Sequence, residues 1–247
     1  MYKLEISQNY KSFKNFILNI KDDFNSTYEN IHNARNELKI ISYEGIDTVV
    51  KSFKVPNLIN KIAYSFFRDS KAKKAYEYAL KISRFTPQPI GYIEFYKFGL
   101  LHESYFISEK FEYDFTIREP LLDDKFKRKK QILKDFAHFT YELHQEGIYH
   151  NDYSPGNILI KKTKENFIFK IVDINRMKFF NLDIETRALN FSKLWASDEE
   201  LQIIGLEYAK LASFDPRLFV EKMQYYSNKN KTIKNFKKRL KGKKIDN

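Results

Sequence analysis

The sequence predicts an α+β fold in two lobes, the first an antiparallel sheet with one main helix and the second mainly helical. Three observations carry the prediction. Apolar, β-branched residues alternate through 37–43 and 47–53 around the turn residues Glu44-Gly45, which reads as strand, turn, strand. Residues 122–146 and 182–227 carry apolar side chains at helical spacing. Between them, 157–160 and 167–172 form a second pair of apolar runs joined by the polar turn Lys164-Glu165-Asn166.

The elements follow in order. The first lobe spans residues 1–108. After the 37–53 hairpin, 58–68 has apolar residues at i, i+1, i+4, i+5, i+8 and i+9 with Lys61, Arg68, Lys71, Lys73 and Lys74 around or after them; it reads either as ordinary core packing or as a basic amphipathic helix lying on a membrane. Residues 70–83 form the main helix, with Ala72, Ala75, Tyr76, Ala79, Leu80 and Ile82 on its apolar side and Glu77 at the edge. Thr86-Pro87-Gln88-Pro89 turns the chain into the last two strands, of which 104–108 is one. The second lobe spans 109–228. Its longest helix runs over 122–146, acidic at its start (Asp123, Asp124), closed by Gly147, and burying Ile132, Leu133, Phe136, Phe139, Thr140 and Leu143. Within 182–227, Trp195, Leu201, Ile204, Tyr208 and Leu211 are core candidates, and a loop at 212–216 restarts a helix at Pro216. Residues 229–247 form a basic tail.

Composition bounds the function. A chain of 247 residues with 43% hydrophobic and 17% aromatic content is long and apolar enough to bury a sizeable core. It has no cysteine, so disulfides and thiolate metal sites are excluded, and five scattered histidines lack the spacing of a zinc site. No signal-like segment opens the sequence and no run approaches the ~20 apolar residues of a spanning helix, so a cytoplasmic protein is expected, with peripheral contact to the inner face of the membrane an open option. Of the net charge of +12, the segment from Lys229 onward carries nine Lys/Arg against one Asp. That tail reads either as a solvated terminal helix or as an attractor for anionic phospholipid headgroups, a phosphorylated glycolipid or nucleic acid; nucleic acid is not the expected partner.

The most informative stretch is His150-Asn151-Asp152-Tyr153-Ser154-Pro155-Gly156-Asn157, followed by the second hairpin and Asp173. Antiparallel pairing of 157–160 with 167–172 folds Asp173 back beside Asn157, so that a carboxylate and an amide oxygen share one hard cation. Asp152, in the loop before the first strand, is then placed to accept or orient the proton of an attacking hydroxyl. The bland alternative makes these three turn and cap residues, since Asp, Asn, Pro and Gly all favour turns; their joint spacing argues for phosphoryl transfer from a metal nucleotide.

At these residues the chain resembles the protein-kinase superfamily, and more narrowly the lipopolysaccharide kinases that phosphorylate Kdo or heptose of the inner core. The His-x-Asp-(x)4-Asn outline is shared with protein kinases, but Ser154 stands where those usually carry Lys, and Asp173 is followed by Ile174-Asn175-Arg176-Met177 rather than Phe-Gly. Both departures point away from peptide substrates. The resemblance implies a bilobal protein-kinase-like fold, ATP and Mg²⁺ as cofactors, Lys51 on the α- and β-phosphates, Glu77 as its ion-pair partner, and Glu109-Lys110-Phe111 as the hinge whose backbone reads adenine. No Gly-x-Gly-x-x-Gly precedes Lys51; the resemblance puts the phosphate-covering turn between Ile31 and Leu38, with Arg35 touching phosphate. His150 reads as a structural histidine that packs behind the loop, with a catalytic base as the alternative, because Asp152 is the better-placed acceptor; Ser154 reads either as a substrate contact or as a structural residue of the loop. Arg176 reads either as a contact to an acidic acceptor sugar or as a tie to a nearby carboxylate.

The function expected from this resemblance is ATP-dependent phosphorylation of an inner-core sugar hydroxyl on a lipopolysaccharide precursor or another anionic sugar. A small-molecule kinase acting on an aminoglycoside or choline-like alcohol, and a nucleotide-binding pseudokinase scaffold in envelope biogenesis, are the alternatives. The basic chain favours an anionic acceptor.

Overall fold

Period-two alternation and tight turns build the first half of the chain. The computed structural model describes residues 1–27, 30–33, 36–53, 57, 61, 64–65 and 67–240, which fall into two compact units, Met1–Glu112 and Tyr113–Asn247. The first holds β1 (Tyr2–Ile6), a 3₁₀ segment (Gln8–Phe13), α1 (Lys14–Ser26), β2 (Asn30–Asn33), β3 (Asn36–Tyr43), β4 (Ile46–Phe53), α2 (Lys71–Lys81), β5 (Pro89–Lys97) and β6 (Leu100–Glu109). The strands form one antiparallel sheet in the order β1-β5-β6-β4-β3-β2. Glu44 and Gly45, both at positive φ, close β3 onto β4 as a two-residue turn whose twist matches the strands.

The sheet of this unit has two covered faces. Phe13 of the 3₁₀ segment and Phe16, Ile17, Ile20 and Phe24 of α1 pack on Val50, Ile93, Tyr105 and Ile107. On the other face, Ala72, Ala75 and Tyr76 of α2 pack on Phe53 and Tyr92. Ser70 caps α2 by accepting the Lys73 N–H at 3.0 Å. The expected stripe of this helix holds at Ala72, Ala75, Tyr76, Ala79 and Ile82, whereas Leu80, at the edge of the stripe, is exposed. The amphipathic stripe read at 58–68 lies largely outside the described residues.

The second unit contains β7 (Phe115–Thr116), α3 (Arg118–Leu122), α4 (Lys129–Gln145), β8 (Ile148–Tyr149), β9 (Ile158–Lys162), β10 (Phe167–Ile171), β11 (Lys178–Phe179), α5 (Ile184–Asn190), α6 (Asp198–Ala212) and α7 (Pro216–Leu240), with 3₁₀ turns at Pro155–Asn157, Ile174–Arg176 and Phe191–Lys193. The helix expected from residue 122 starts at Lys129: α3 ends at Leu122, Asp123 is extended, and Arg128 takes a left-handed conformation (φ 64°) that no helix interior tolerates. Its end is as expected, with Gly147 at φ 69° and its N–H on the His144 carbonyl at 3.1 Å. Ile132, Leu133, Phe136, Thr140 and Leu143 are buried and Phe139 is half-buried. The core around them is aromatic: Phe136, Tyr153, Phe191, Tyr208 and Phe219 are each fully buried and touch in series. Among the described residues no helix is long and apolar enough to cross a membrane.

Candidate active site

The stretch from His150 to Asp173 is organised by short-range hydrogen bonds and one antiparallel ladder. Ile158 pairs with Ile171 and Leu159 with Lys170, and the Val172 N–H donates to the Asn157 carbonyl at 3.0 Å. Asp173 therefore follows directly on the residue hydrogen-bonded to Asn157, which is the juxtaposition expected of the hairpin. Asp173 itself sits at φ 55°, ψ 47°, a left-handed conformation uncommon outside glycine, and it opens the Ile174–Arg176 turn. Sparsely populated backbone conformations of this kind concentrate at functional sites.

Asn157 has a divided task. Its Nδ2 donates to the Asp152 carbonyl at 2.9 Å, which directs the amide so that Oδ1 is the atom left to offer a cation. Inside the loop, the Ser154 N–H donates to the Asp152 carbonyl at 2.8 Å and the Asn157 N–H to the Ser154 carbonyl at 2.9 Å, so Ser154 serves the turn through its backbone. One carboxylate and one amide oxygen are hard ligands that suit Mg²⁺ when phosphate oxygens and water complete the shell. Among the described residues no group of three or more His, Asp or Glu side chains forms a self-sufficient metal cage.

His150 is buried and acts as a brace. Its Nδ1 accepts the Asp152 N–H at 3.1 Å, so Nε2 carries the proton and donates to the Val172 carbonyl at 2.9 Å. One imidazole thus ties the Asp152 loop to the end of β10. Burial, the largest influence, lowers its pKa, while the Val172 carbonyl and the charges of Asp173 and Asp152 pull the other way. Both ring nitrogens are thus engaged within the loop and the end of β10. Arg176 is exposed, with Nη1 3.9 Å from Asp152 Oδ2. Both of its expected roles are compatible with that position: it ties loosely to a carboxylate and keeps its donors in solvent.

Three supports were not read from the sequence. Tyr153 is fully buried, its ring on Phe136 and His150 and its hydroxyl 2.8 Å from Thr140 Oγ1. Asn190, at the end of α5, donates from Nδ2 to the His150 carbonyl at 2.9 Å while Oδ1 meets His144 Nε2 at 2.9 Å. Lys193 donates to the Asn151 carbonyl. The loop therefore hangs from three separate elements of its own unit. An available signal was the placement of polar Asn190 directly before the apolar Phe191 in a helical segment. Asn175 adds a further polar atom near Asp173: its Oδ1 is buried with no hydrogen-bond partner among the described residues.

In the first unit, Lys51 lies on β4 opposite Phe106 and two residues before Phe53. Alternation puts Lys51 and Phe53 on the same face of the sheet, the one covered by α2, and the Lys51 ammonium is 5.5 Å from the Phe53 ring centre. Glu77 is exposed on α2 and pairs with Lys73, one helical turn back, at 3.6 Å. At the end of β6, Glu109 accepts the Tyr10 hydroxyl at 2.6 Å, the Lys110 N–H donates to the Asp47 carbonyl at 2.8 Å, and Phe111 is half-buried. Arg35 lies outside the described residues, between the paired strands β2 and β3.

The model of the Lipopolysaccharide kinase (Kdo/WaaP) family matches residues 81–213, more than half of the chain. The chain belongs to that family. It is thus a Kdo/WaaP-family kinase, and the matched stretch contains Asp152, Asn157 and Asp173. No curated protein matches it. Among solved structures it is similar to one described as "WaaP in complex with acyl carrier protein", with a TM-score of 0.60 and 12% identity over 92% of this chain and 99% of that one. That likeness establishes the WaaP-like kinase fold, with its N-terminal antiparallel sheet and helical C-terminal part. Family membership implies ATP as phosphoryl donor and an acceptor related to lipopolysaccharide.

Proposed function

We propose that the protein transfers the γ-phosphoryl group of ATP to a hydroxyl of a lipopolysaccharide inner-core sugar, Kdo or heptose, at the cytoplasmic face of the membrane. The observation that carries the reading is the hairpin register, which brings Asn157 beside Asp173 while the His150 and Asn190 bonds hold Asp152 in the adjoining loop. Mg²⁺, when bound, supplies charge neutralisation at the β- and γ-phosphates. Asn157 and Asp173 are the residues that would hold it, as hard oxygen donors. Asp152 orients the acceptor hydroxyl and takes its proton as the oxygen–phosphorus bond forms and the bond to ADP breaks. Lys51 neutralises the α- and β-phosphates. Glu77 orients Lys51, giving up an exposed i,i+4 pair with Lys73 that is worth little. Glu109 and Phe111 line the adenine side, and Arg35 is the residue assigned to phosphate.

Arg176 favours the anionic sugar over a cationic alcohol. An exposed guanidinium beside the catalytic carboxylate attracts a carboxylate or phosphate on the acceptor and repels an aminoglycoside or choline-like substrate. The test is Mg²⁺-dependent ATP consumption with and without a lipid A–Kdo acceptor, for the wild type, Asp152→Ala and Asp173→Asn. Acceptor-stimulated turnover is expected to fall by about 10²–10⁴ in the Asp152 variant, with nucleotide binding retained. Nucleotide binding without turnover on any sugar acceptor supports the scaffold alternative instead.

A further inference from the structure

The C-terminal helix has one face inside the fold and another that is exposed. Phe219, Val220, Met223 and Ser227 of α7 are buried. Farther along the same side, Asn230 donates to the Ser192 carbonyl at 2.9 Å, Lys231 to the Ala196 carbonyl at 2.7 Å, and the Lys238 ammonium stands 5.7 Å from the Trp195 ring centre. At 3.6 residues per turn, Leu218, Tyr225, Ile233, Phe236 and Leu240 all fall on the opposite side. All five are exposed, Phe236 at 60% and Leu240 at 72%. They form an apolar stripe, interrupted by Lys222 and Lys229, that is densest at Ile233, Phe236 and Leu240 near the end of the helix.

We propose that this stripe is a docking surface for an anionic phospholipid bilayer. The charge pattern selects the partner. From Lys229 to Leu240 there are six Lys/Arg and no acidic residue, and Lys229 lies within the stripe with exposed Lys237 and Arg239 to either side. A second copy of the chain brings the same positive charge against this face and is repelled. A nucleic acid answers the charge but has no use for Ile233, Phe236 and Leu240. An anionic membrane answers both: the apolar side chains enter the boundary between headgroups and acyl chains, and the lysine stems extend so that their ammonium groups reach the lipid phosphates. The surface keeps the protein on the membrane between encounters with a lipid-borne substrate, and it operates whatever the protein phosphorylates.

The experiment is co-sedimentation of the full chain with vesicles of phosphatidylcholine alone or mixed with phosphatidylglycerol, over a range of salt, with light scattering to report the oligomeric state. The wild type is expected to pellet with the anionic vesicles only, less so as salt rises. The triple variant Ile233→Ser/Phe236→Ser/Leu240→Ser is expected to lose at least about tenfold in partitioning. Lys229→Gln/Lys237→Gln is expected to bind more weakly with a shallower salt dependence. All five positions are exposed, so melting curves should match the wild type; Phe236→Ser alone serves if the triple variant does not fold. Asp152→Ala is expected to bind as the wild type does, which separates failure of this inference from failure of the kinase reading. No pelleting with anionic vesicles, equal pelleting of wild type and triple variant, binding as tight to neutral vesicles, or a dimer abolished by the triple variant each overturns the proposal.

Discussion

Asn190 shows what a single side chain contributes to the loop that carries Asp152. Its amide spans two buried partners, the His150 carbonyl and His144 Nε2, and Tyr208 closes the chain at His144 Nδ1 at 2.8 Å. A buried polar group costs little while paired and much when orphaned. Asn190→Leu leaves the His150 carbonyl and one His144 nitrogen without their partners, and about 1–3 kcal/mol of stability is expected to be lost, read as a lower urea midpoint. Turnover should fall as well, because the loop loses a support on the side away from the hairpin. A variant with unchanged midpoint and turnover would show the network to be dispensable. The acid set was legible in the sequence because its geometry is local: Asn157 and Asp173 are brought together by a hairpin whose strands and turn lie in one short stretch. Asn190 lies 40 residues from His150, and no periodicity or spacing links the two.

At the level of elements, the ends of α4 separate what patterns reveal from what they hide. Its C-terminus follows from Gly147, which holds φ 69° and has the Phe180 carbonyl so close that an added Cβ would stand 2.9 Å from the oxygen. Gly147→Ala is therefore expected to cost more than about 1 kcal/mol, from left-handed strain and from displacement of the chain entering β8 and β11, measured as a drop in thermal midpoint. An unchanged midpoint would mean that the turn relaxes freely. The N-terminus of α4 was misplaced because Asp123-Asp124 followed by basic residues satisfies the macrodipole rule equally well for a turn; the left-handed Arg128, whose side chain reaches the Glu165 carbonyl, decides it. In the first unit, α1 was not assigned although Phe13, Phe16, Ile17, Ile20 and Phe24 repeat at helical spacing. That stripe was readable, and it covers the face of the sheet that α2 leaves open.

For the molecule as a whole, acid sensitivity is a property of the buried histidines of the second unit. Burial pulls the pKa of His144 down from 6.5 to about 3, and His150 moves in the same direction. Unfolded, both rings take a proton near pH 6.5. Below that pH the unfolded chain binds more protons than the folded one, so His144 removes about 1.4 kcal/mol of stability per pH unit from pH 6.5 down toward its folded pKa, and His150 acts in the same direction. Above pH 7 neither contributes any slope. The expected outcome is a urea midpoint that is flat in these groups above neutrality and falls below pH 6, with a shallower fall for His144→Gln. Equal slopes in the two proteins would contradict the assignment.

The sequence by itself determined the α+β class, the hairpin that joins Asn157 to Asp173, the apolar stripe of α4 and the basic character of the C-terminal segment, because each is written in neighbouring residues through turn chemistry or periodicity. The tertiary structure decided the partners across distance: Tyr153 on Thr140, Asn190 and Lys193 on the loop that carries Asp152, and which side of α7 is packed and which is bare. Those choices depend on how separate elements meet. A helix wheel shows that a face is apolar, but only the packed fold shows whether anything covers it.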